Sequence, residues 1–467
     1  VSQKKARAAE GRVRTKEPDR SQGWLFKQMP EQLVEPEHPV RVVAAAVEAL
    51  DLRGFLAGAK AVEGHAGRPV TSPRLLLALW VYGIQQGVGT ATELARRCEE
   101  DRAYQWLAGG VKVSHDKLSQ FRVEHLEVLQ QVFTDVLSVL LQQGLVSLEQ
   151  VAQDGTRVRA SASAPSFRRE QSLRECQEQA ELHLQAVLAQ KDDPELTRGQ
   201  QATREAKARD YQARVDAALE AIKQQQARKK GADKEKVRAS TTDADARVMK
   251  MADGGFRPAY NLQFAVAGEA LGGPRTIVGV EVTNQGSDMG SVSPMVEQIE
   301  QRTGQVPERV LADGGHATCA DVKQCAAKGV EALISVPERM AQAGQQGDHS
   351  PEVEAWRERM RTDEAKEQYK ARAGLVENVN AQVKGRYGLT QVTVRGLEKV
   401  KCVALLVALA HNLAAHGQPL VDALLARQSA LAEPAHLLEL APGNAASLGG
   451  GISPVPVDQV TALPAGF

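Results

Sequence analysis

Several classes of protein are excluded by what this sequence has little of. Aromatic residues fill only 4% of the 467 positions while Ala, Gln and Arg abound, so the core has to be packed by aliphatic and small side chains, as helices pack theirs. The five cysteines, Cys98, Cys176, Cys319, Cys325 and Cys402, are scattered and form no C-x-x-C pair. That spacing excludes a zinc knuckle and a disulfide framework and reads as the reduced thiols of an intracellular protein. No apolar run approaches the roughly 18 residues of a membrane span, and the N-terminal segment is polar, without the apolar stretch of a secretory signal. Net charge is missing too, since 58 Lys and Arg balance 58 Asp and Glu. A nucleic-acid partner would have to be met by a local basic surface. The expectation is a soluble, cytoplasmic chain with no membrane partner, and its length allows about two to four domains.

What is present is a series of clear changes in pattern. Residues 1–37 include KKARAAEGRVRTKEPDR, basic and aperiodic, which predicts a flexible arm. From 38 to 145 apolar residues recur at helical spacing in VRVVAAAVEAL, SPRLLLALWVYGIQQG, TATELARRCEEDRAYQWLAG and SHDKLSQFRVEHLEVLQQVFTDVLSVLLQQG. Ser72 before Pro73, Thr90 before Glu93, and Ser114 predict N-caps. Short helices joined by tight turns are how helix-turn-helix units are built, so 38–145 is the candidate DNA-binding domain.

The period changes at 146–165, where Val151 precedes Asp154-Gly155 and Val158 and Ala160 alternate after it, predicting a strand, a turn and a second extended piece. Residues 166–232 are mostly Gln, Glu, Arg, Lys and Ala, broken at DDPELTRG, as two long helices folded into a hairpin would be. Strand spacing returns in RPAYNLQFAVAG, where Tyr260, Leu262, Phe264 and Val266 alternate, and in PRTIVGVEVTNQGS. There follow a helix at SPMVEQIEQRTG, a strand at RVLAD, a helix at CADVKQCAAKG, a strand at EALISVP and a long helix from about 352 to 385. This order predicts a mixed α/β sheet over 146–165 and 233–416, with the hairpin inserted between its first two strands. Residues 417–467, rich in Pro, Ala and Gly, predict a tail largely disordered beyond its first helix.

Two acids of this sheet are expected to end strands with glycine directly behind them, Asp154 in QDGT and Asp313 in ADGGH. Carboxylates so placed, with glycines admitting a close ligand, suit a hard divalent cation; the same pairs also begin ordinary Asx turns. A third acid is expected from a helix packed on the strand ends, and EAKEQYKARAGLVENVNAQVKGRYG offers Glu377. On a 3.6-residue wheel Tyr369, Arg372, Glu377 and Lys384 fall at about 0°, 300°, 80° and 60°, inside roughly a 140° sector. Glu364, Glu367 and Glu398 are rival third acids.

Several of these segments together are similar to those of bacterial insertion-sequence DDE transposases of the group related to the IS5 and IS1182 elements. GRPVTSPRLLLALWVYGIQQG with RAYQWLAGG and LSQFR resembles the family's N-terminal helical domain, and VAQDGTRVRASAS its first-aspartate motif. TTDADARVMKMADGGFRPAYNLQ resembles the segment leading into the second strand, and VLADGGH the second-aspartate motif. Tyr369, Arg372, Glu377 and Lys384 resemble its Tyr-Arg-Glu-Lys motif, and VRGLEKV with LAHNL its closing helix.

The resemblance implies a ribonuclease H-like mixed sheet with flanking helices, preceded by an all-helical N-terminal domain and interrupted by a long helical hairpin insertion. It implies that Asp154, Asp313 and Glu377 are the catalytic residues and hold two Mg2+ ions, for which Mn2+ can substitute, while Tyr369, Arg372 and Lys384 contact DNA. Two cations about 3.5–4 Å apart serve the attacking and leaving oxygens of an in-line displacement, and carboxylates suit Mg2+ better than thiols do. The implied function is to bind the terminal inverted repeats of an insertion sequence, cut at them and join the ends to target DNA. The implied partners are double-stranded DNA and a second copy of the chain, as a homodimer on DNA, at the nucleoid of a bacterial cytoplasm. Two departures accompany it. His316 stands where the family usually carries Tyr and reads as a packing replacement, and four residues separate Arg372 from Glu377 where the better-known motif has three. The alternative readings are a catalytically inactive DNA-binding protein derived from a transposase and a metal-dependent phosphohydrolase.

Overall fold

The computed structural model describes residues 15–21, 29–65, 67–190, 195–269, 272–342 and 347–439. Within the expected N-terminal arm, β1 (Thr15–Lys16) pairs in parallel with β2 (Val70–Thr71). Asp19 N–H donates to Gly109 O, and the Arg20 guanidinium lies 4.4 Å over the Trp106 ring, so this part is folded onto the helical segment that follows. Residues 1–14 and 22–28 of the arm lie outside the described residues.

The helical segment holds α1 (Pro39–Glu48), α2 (Pro73–Gln85), α3 (Ala91–Glu100), α4 (Arg102–Ala108), α5 (His115–Phe121) and α6 (Leu126–Gln142). Two of the expected helices are each divided. Asp101 closes α3, and its side chain accepts from Ala103 N–H to cap α4, because a short acceptor at that position satisfies an end N–H better than a continued helix would. Thr90 and Ser114 cap α3 and α5 as expected, accepting from Glu93 N–H and Lys117 N–H. Ser72 does not cap α2. Its N–H is already bound to Lys16 O of β1, and its hydroxyl is buried without a partner.

The sheet is built from β3 (Gln150–Arg159), β6 (Arg247–Lys250), β7 (Phe256–Glu269), β8 (Gly272–Thr283), β9 (Arg309–Ala312) and β10 (Glu331–Ile334). Its order is β10-β9-β3-β7, with β6 and β8 sharing the far edge of β7. β10, β9 and β3 run parallel, and β7 is antiparallel to β3 from Val151↔Ala267 to Arg159↔Ala259. The fold is thus mixed α/β, a mixed sheet among many helices. β3 is one continuous strand rather than a strand, a turn and a second piece. Pairing with β7 along its length holds the backbone extended through Asp154-Gly155, which overrides the local turn preference. β7 is buried on both faces from Pro258 to Ala267, as a central strand covered on both sides is.

The inserted segment forms α7 (Glu170–Ala189) and α8 (Arg198–Ala227), joined through Leu173, Ala218, Ala221 and Ile222. A short antiparallel pair, β4 (Phe167–Arg168) with β5 (Ala239–Ser240), ties its base. Beyond the sheet hairpin come α9 (Val292–Thr303), α10 (Cys319–Ala327), α11 (Glu338–Ala341) and α12 (Pro351–Arg359). They are followed by α13 (Asp363–Arg372), a π turn at Ala373–Glu377, α14 (Asn378–Gly385), α15 (Leu397–His416) and α16 (Gln418–Glu439). The long helix expected over 352–385 is therefore interrupted, first at Thr362, whose hydroxyl caps α13 by accepting from Ala365 N–H. One apolar core joins α2, α6 and α15 to β3, β7 and β8. Trp356 closes a second core, over β9 and β10, donating its Nε1–H to Ile334 O at 2.9 Å.

Helix α15 seals the outer edge of β8 with side chains instead of a further strand. Asn412 accepts from Ile277 N–H through Oδ1 and donates to Ile277 O through Nδ2, both at 2.8 Å. His411 Nε2 lies 2.8 Å from Arg275 O, and His416 Nε2 lies 2.7 Å from Thr276 Oγ1. Among the described residues no single helix is long and apolar enough to cross a membrane. Asn412→Ala is expected to cost about 2–6 kcal/mol in urea unfolding, because two buried backbone groups lose their partners at about 1–3 kcal/mol each. Burial holds His411 and His416 each down at about 4, so both are neutral in the folded protein. The stability they carry is complete above the ordinary histidine value and lost as pH falls from about 6.5 through 4. Melting temperature should fall across that window, and His416→Gln should flatten the fall.

Candidate active site

Asp154 sits in the middle of β3, not at its end. Parallel pairing sets Val151 beside Val310 and Ala152 beside Leu311. Continued by two residues, that register brings Asp154 level with Asp313, just past the end of β9, and alternation points both side chains to one face. Asp154 Oδ2 accepts from Asn380 Nδ2 of α14 at 3.0 Å. Burial pushes the Asp154 carboxyl above the ordinary range, and the charge of Asp313 adds to this, while His316 and Arg372 oppose it. Gly155 faces the other side of the sheet. A Cβ there would lie 2.3 Å from Asp288 Oδ1 and from Gln263 Nε2, so the glycine makes room for a polar network and is not part of a turn.

Asp313 opens an Asx turn, its Oδ1 accepting from Gly315 N–H at 2.9 Å, and the same oxygen meets His316 Nδ1 at 2.8 Å. The hydrogen bond from His316 holds the Asp313 carboxyl below its ordinary value. His316 is fully buried, yet it is bound through both ring nitrogens, with Nε2 3.3 Å from Gln263 Oε1. It is a hydrogen-bonding residue where a packing one was expected. Gly314 lies against Ser335, whose Oγ would be 3.0 Å from a Cβ.

The one-residue excess between Arg372 and Glu377 is taken up by the π turn Ala373–Glu377. A π turn is a one-residue insertion in an α-helix, and it sets everything after it back by roughly 100° on the wheel. Glu377 then falls near 340° and Lys384 near 320°, so the sector holding the four motif residues narrows from roughly 140° to about 60°. Arg372 donates to Glu377 Oε1 at 2.6 Å, five residues apart in sequence, a contact that an unbroken α-helix does not make. The Gly374 carbonyl in the widened turn accepts from Arg275 Nε.

Arg372 is the electrostatic hub. Its partial burial works against its charge, but Tyr369, Glu377, Asp154 and Asp313 outweigh that and raise its pKa. The Tyr369 ring lies 5.9 Å from the guanidinium. Lys384 is half-buried, its pKa lowered by burial although Asp154 opposes the shift. The structure thus brings Asp154, Asp313, Glu377, Arg372 and Lys384 to one region. Glu364 and Glu367 are exposed on α13, and Glu398 is exposed in the first turn of α15. Among the described residues no three His, Cys, Asp or Glu side chains are grouped closely enough to hold a metal ion as they stand.

Residues 28–124 match the family model described as a transposase domain (DUF772), and residues 316–415 match that of a transposase DDE domain. Two separate segments of the chain are thus similar to transposase domains, a pairing typical of IS1182-family transposases. The second match takes in Tyr369, Arg372, Glu377 and Lys384 and begins downstream of Asp154 and Asp313. No curated protein and no solved structure matches the chain.

Residues that sequence reasoning passed over are Asn380, Gln263, Asn261 and Asp288. Asn380 had a signal, three residues beyond Glu377 and so on the same helix face. Asn261 and Gln263 alternate with the apolar residues of β7 and read as solvent-facing, but both are buried. Because burial disfavours the charged form of Asp154, its cost to folding is absent at acid pH and grows as pH rises through the raised carboxyl value. Asp154→Asn should therefore melt at a higher temperature than the wild type at pH 7 without metal, with the difference closing below about pH 3.

Proposed function

We propose that this chain is a transposase that binds the terminal inverted repeats of its insertion sequence, cleaves DNA there and transfers the strand to target DNA, with Asp154, Asp313 and Glu377 as catalytic carboxylates. The observation that carries this is the convergence of the three acids on the Arg372 guanidinium from two neighbouring strands and a helix. The strand order supports a ribonuclease H-like core. With the short edge strand β6 set aside, β3, β7, β8, β9 and β10 counted as first to fifth lie in the order third, second, first, fourth, fifth, with the second antiparallel to the first.

The donor set fits Mg2+ or Mn2+, being three carboxylates and no thiol, gathered around one positive charge that offsets only part of theirs. Asp154, Asp313 and Glu377 would hold two such ions, Glu377 after turning from Arg372. The ions supply Lewis-acid stabilisation of the attacking and leaving oxygens. The chain's own residues do the rest. Asn380 fixes Asp154, His316 fixes Asp313, and the half-buried Lys384 meets the DNA backbone beside Asp154. Arg372, freed from Glu377, takes a phosphate, with Tyr369 beside it. The helices of 38–145 would serve as the DNA-binding domain and 166–232 as an insertion in the catalytic domain, with a homodimer acting on double-stranded DNA at the nucleoid.

With Mg2+ and a duplex carrying the element's own ends, the wild type is expected to cut. Asp154→Ala, Asp313→Ala and Glu377→Ala should each lose at least about a thousandfold, because several kcal/mol of transition-state stabilisation depend on the ions. Glu364→Ala, Glu367→Ala and Glu398→Ala should cut normally. Footprinting without any nicking by the wild type would instead establish a DNA-binding protein without catalysis. Lys384→Ala should weaken DNA binding and lower the slope of log affinity against log salt by about 1.

A further inference from the structure

Asp313 is held by a chain of hydrogen bonds that ends on a carboxylate outside the triad. Beyond His316, Gln263 donates from Nε2 to Asp288 Oδ1 at 2.6 Å, while its Oε1 accepts from Gln153 Nε2 at 3.3 Å and faces His316 Nε2. Turned over, this amide would set its oxygen against the Asp288 carboxylate and its NH2 against the Gln153 NH2, so only one orientation serves. Asp288 also accepts from Asn261 Nδ2 at 2.6 Å and from Arg157 at 3.3 Å. Both atoms facing the His316 ring, Asp313 Oδ1 and Gln263 Oε1, are acceptors, so the ring links them by donating from Nδ1 and from Nε2. Asp313 Oδ2 receives no hydrogen bond among the described residues.

This network burdens the core. Asn261 and Gln263 are 0% and 1% exposed, and Asn261 Oδ1 and Gln153 Oε1 are buried acceptors without a donor. Position 155 has to be glycine to admit it. Buried polar groups incompletely satisfied inside a strand are retained where they serve chemistry, because an apolar packing there would be more stable.

We propose, on the reading of the site given above, that Asp288 is a positioning residue for DNA cleavage. Through Gln263 and His316 it fixes Asp313 Oδ1 and leaves Oδ2 free of hydrogen bonds among the described residues. Asp288 stands on the opposite face of the sheet and touches no reacting group.

The test uses the full-length protein and reads three quantities: Mn2+ affinity by electron paramagnetic resonance, cleavage of the element's own ends, and melting temperature. Asp288→Asn keeps the shape and removes the charge. It should bind Mn2+ about 10–100-fold more weakly and lower kcat by a similar factor, with KM for DNA unchanged. Gln263→Met cuts the chain at its middle link while Asp288 keeps Asn261 and Arg157, and should show the same loss even if Asp288→Asn does not fold. In the double variant Asp288→Asn with His316→Phe, the loss should be no greater than in His316→Phe alone, as for residues acting through one another. The positioning role is overturned if Asp288→Asn and Gln263→Met fold and bind Mn2+ like the wild type, or if the two losses multiply in the double variant. Asp154→Ala separates the two failures. If it binds Mn2+ and cuts normally, the site assignment itself is wrong, whereas if it abolishes both and Asp288→Asn does not, only the positioning role fails.

Discussion

Val151 beside Val310 and Ala152 beside Leu311 form a short parallel register, and the geometry of the site follows from it. Because side chains in a strand alternate with a period of two, a slip of one residue would send Asp154 through to the Gly155 face and Asp313 away from it. The register is protected by burial. Val151, Ala152, Val310 and Leu311 are all within the core, and β3 is pinned along its length by β7 on its other side. A parallel pair needs a long crossover, and here the connection from β3 to β9 carries the helical hairpin, β7, β8 and α9. The hairpin insertion is tolerated because it leaves and rejoins at the paired β4 and β5, away from the ladder that sets the register.

Around that register the two faces of the sheet have separate tasks. One face presents Asp154 to the helix carrying Glu377, Asn380 and Lys384, where burial raises the cost of every negative charge and Arg372 offsets it. The other face holds Gly155, Gln263 and Asp288 in a polar layer that reaches Asp313 through His316. Asp313, at the end of β9, is joined to that second face by His316. The opposite shifts of the two aspartates have this origin: Asp154 is dominated by desolvation and Asp313 by a donated hydrogen bond.

Much of the element order was legible from pattern. Periodicity placed the helices of 38–145, the hairpin and the strands at 256–283, 309–312 and 331–334, because long apolar repeats leave little ambiguity. What misled was local chemistry that tertiary pairing overrode. Asp154-Gly155 has the composition of a turn, but ladder hydrogen bonds on the β7 side keep it extended. Ser72 has the composition of a cap, but its backbone is engaged by β1. The wheel for Tyr369, Arg372, Glu377 and Lys384 assumed an unbroken helix, and the π turn altered its phase.

By itself, the sequence determined the family segments, the types of the candidate acids and the alternation of helix and strand, since each depends on residues close together in the chain. Only the tertiary structure decided which face each acid occupies, that the extra residue before Glu377 becomes a π turn, and that His316 joins Asp313 to Gln263. These depend on partners separated by tens to hundreds of positions, such as Asn380 on Asp154 and Gln263 on His316. No local pattern encodes that pairing, because it arises from the register of strands and the packing of helices upon them.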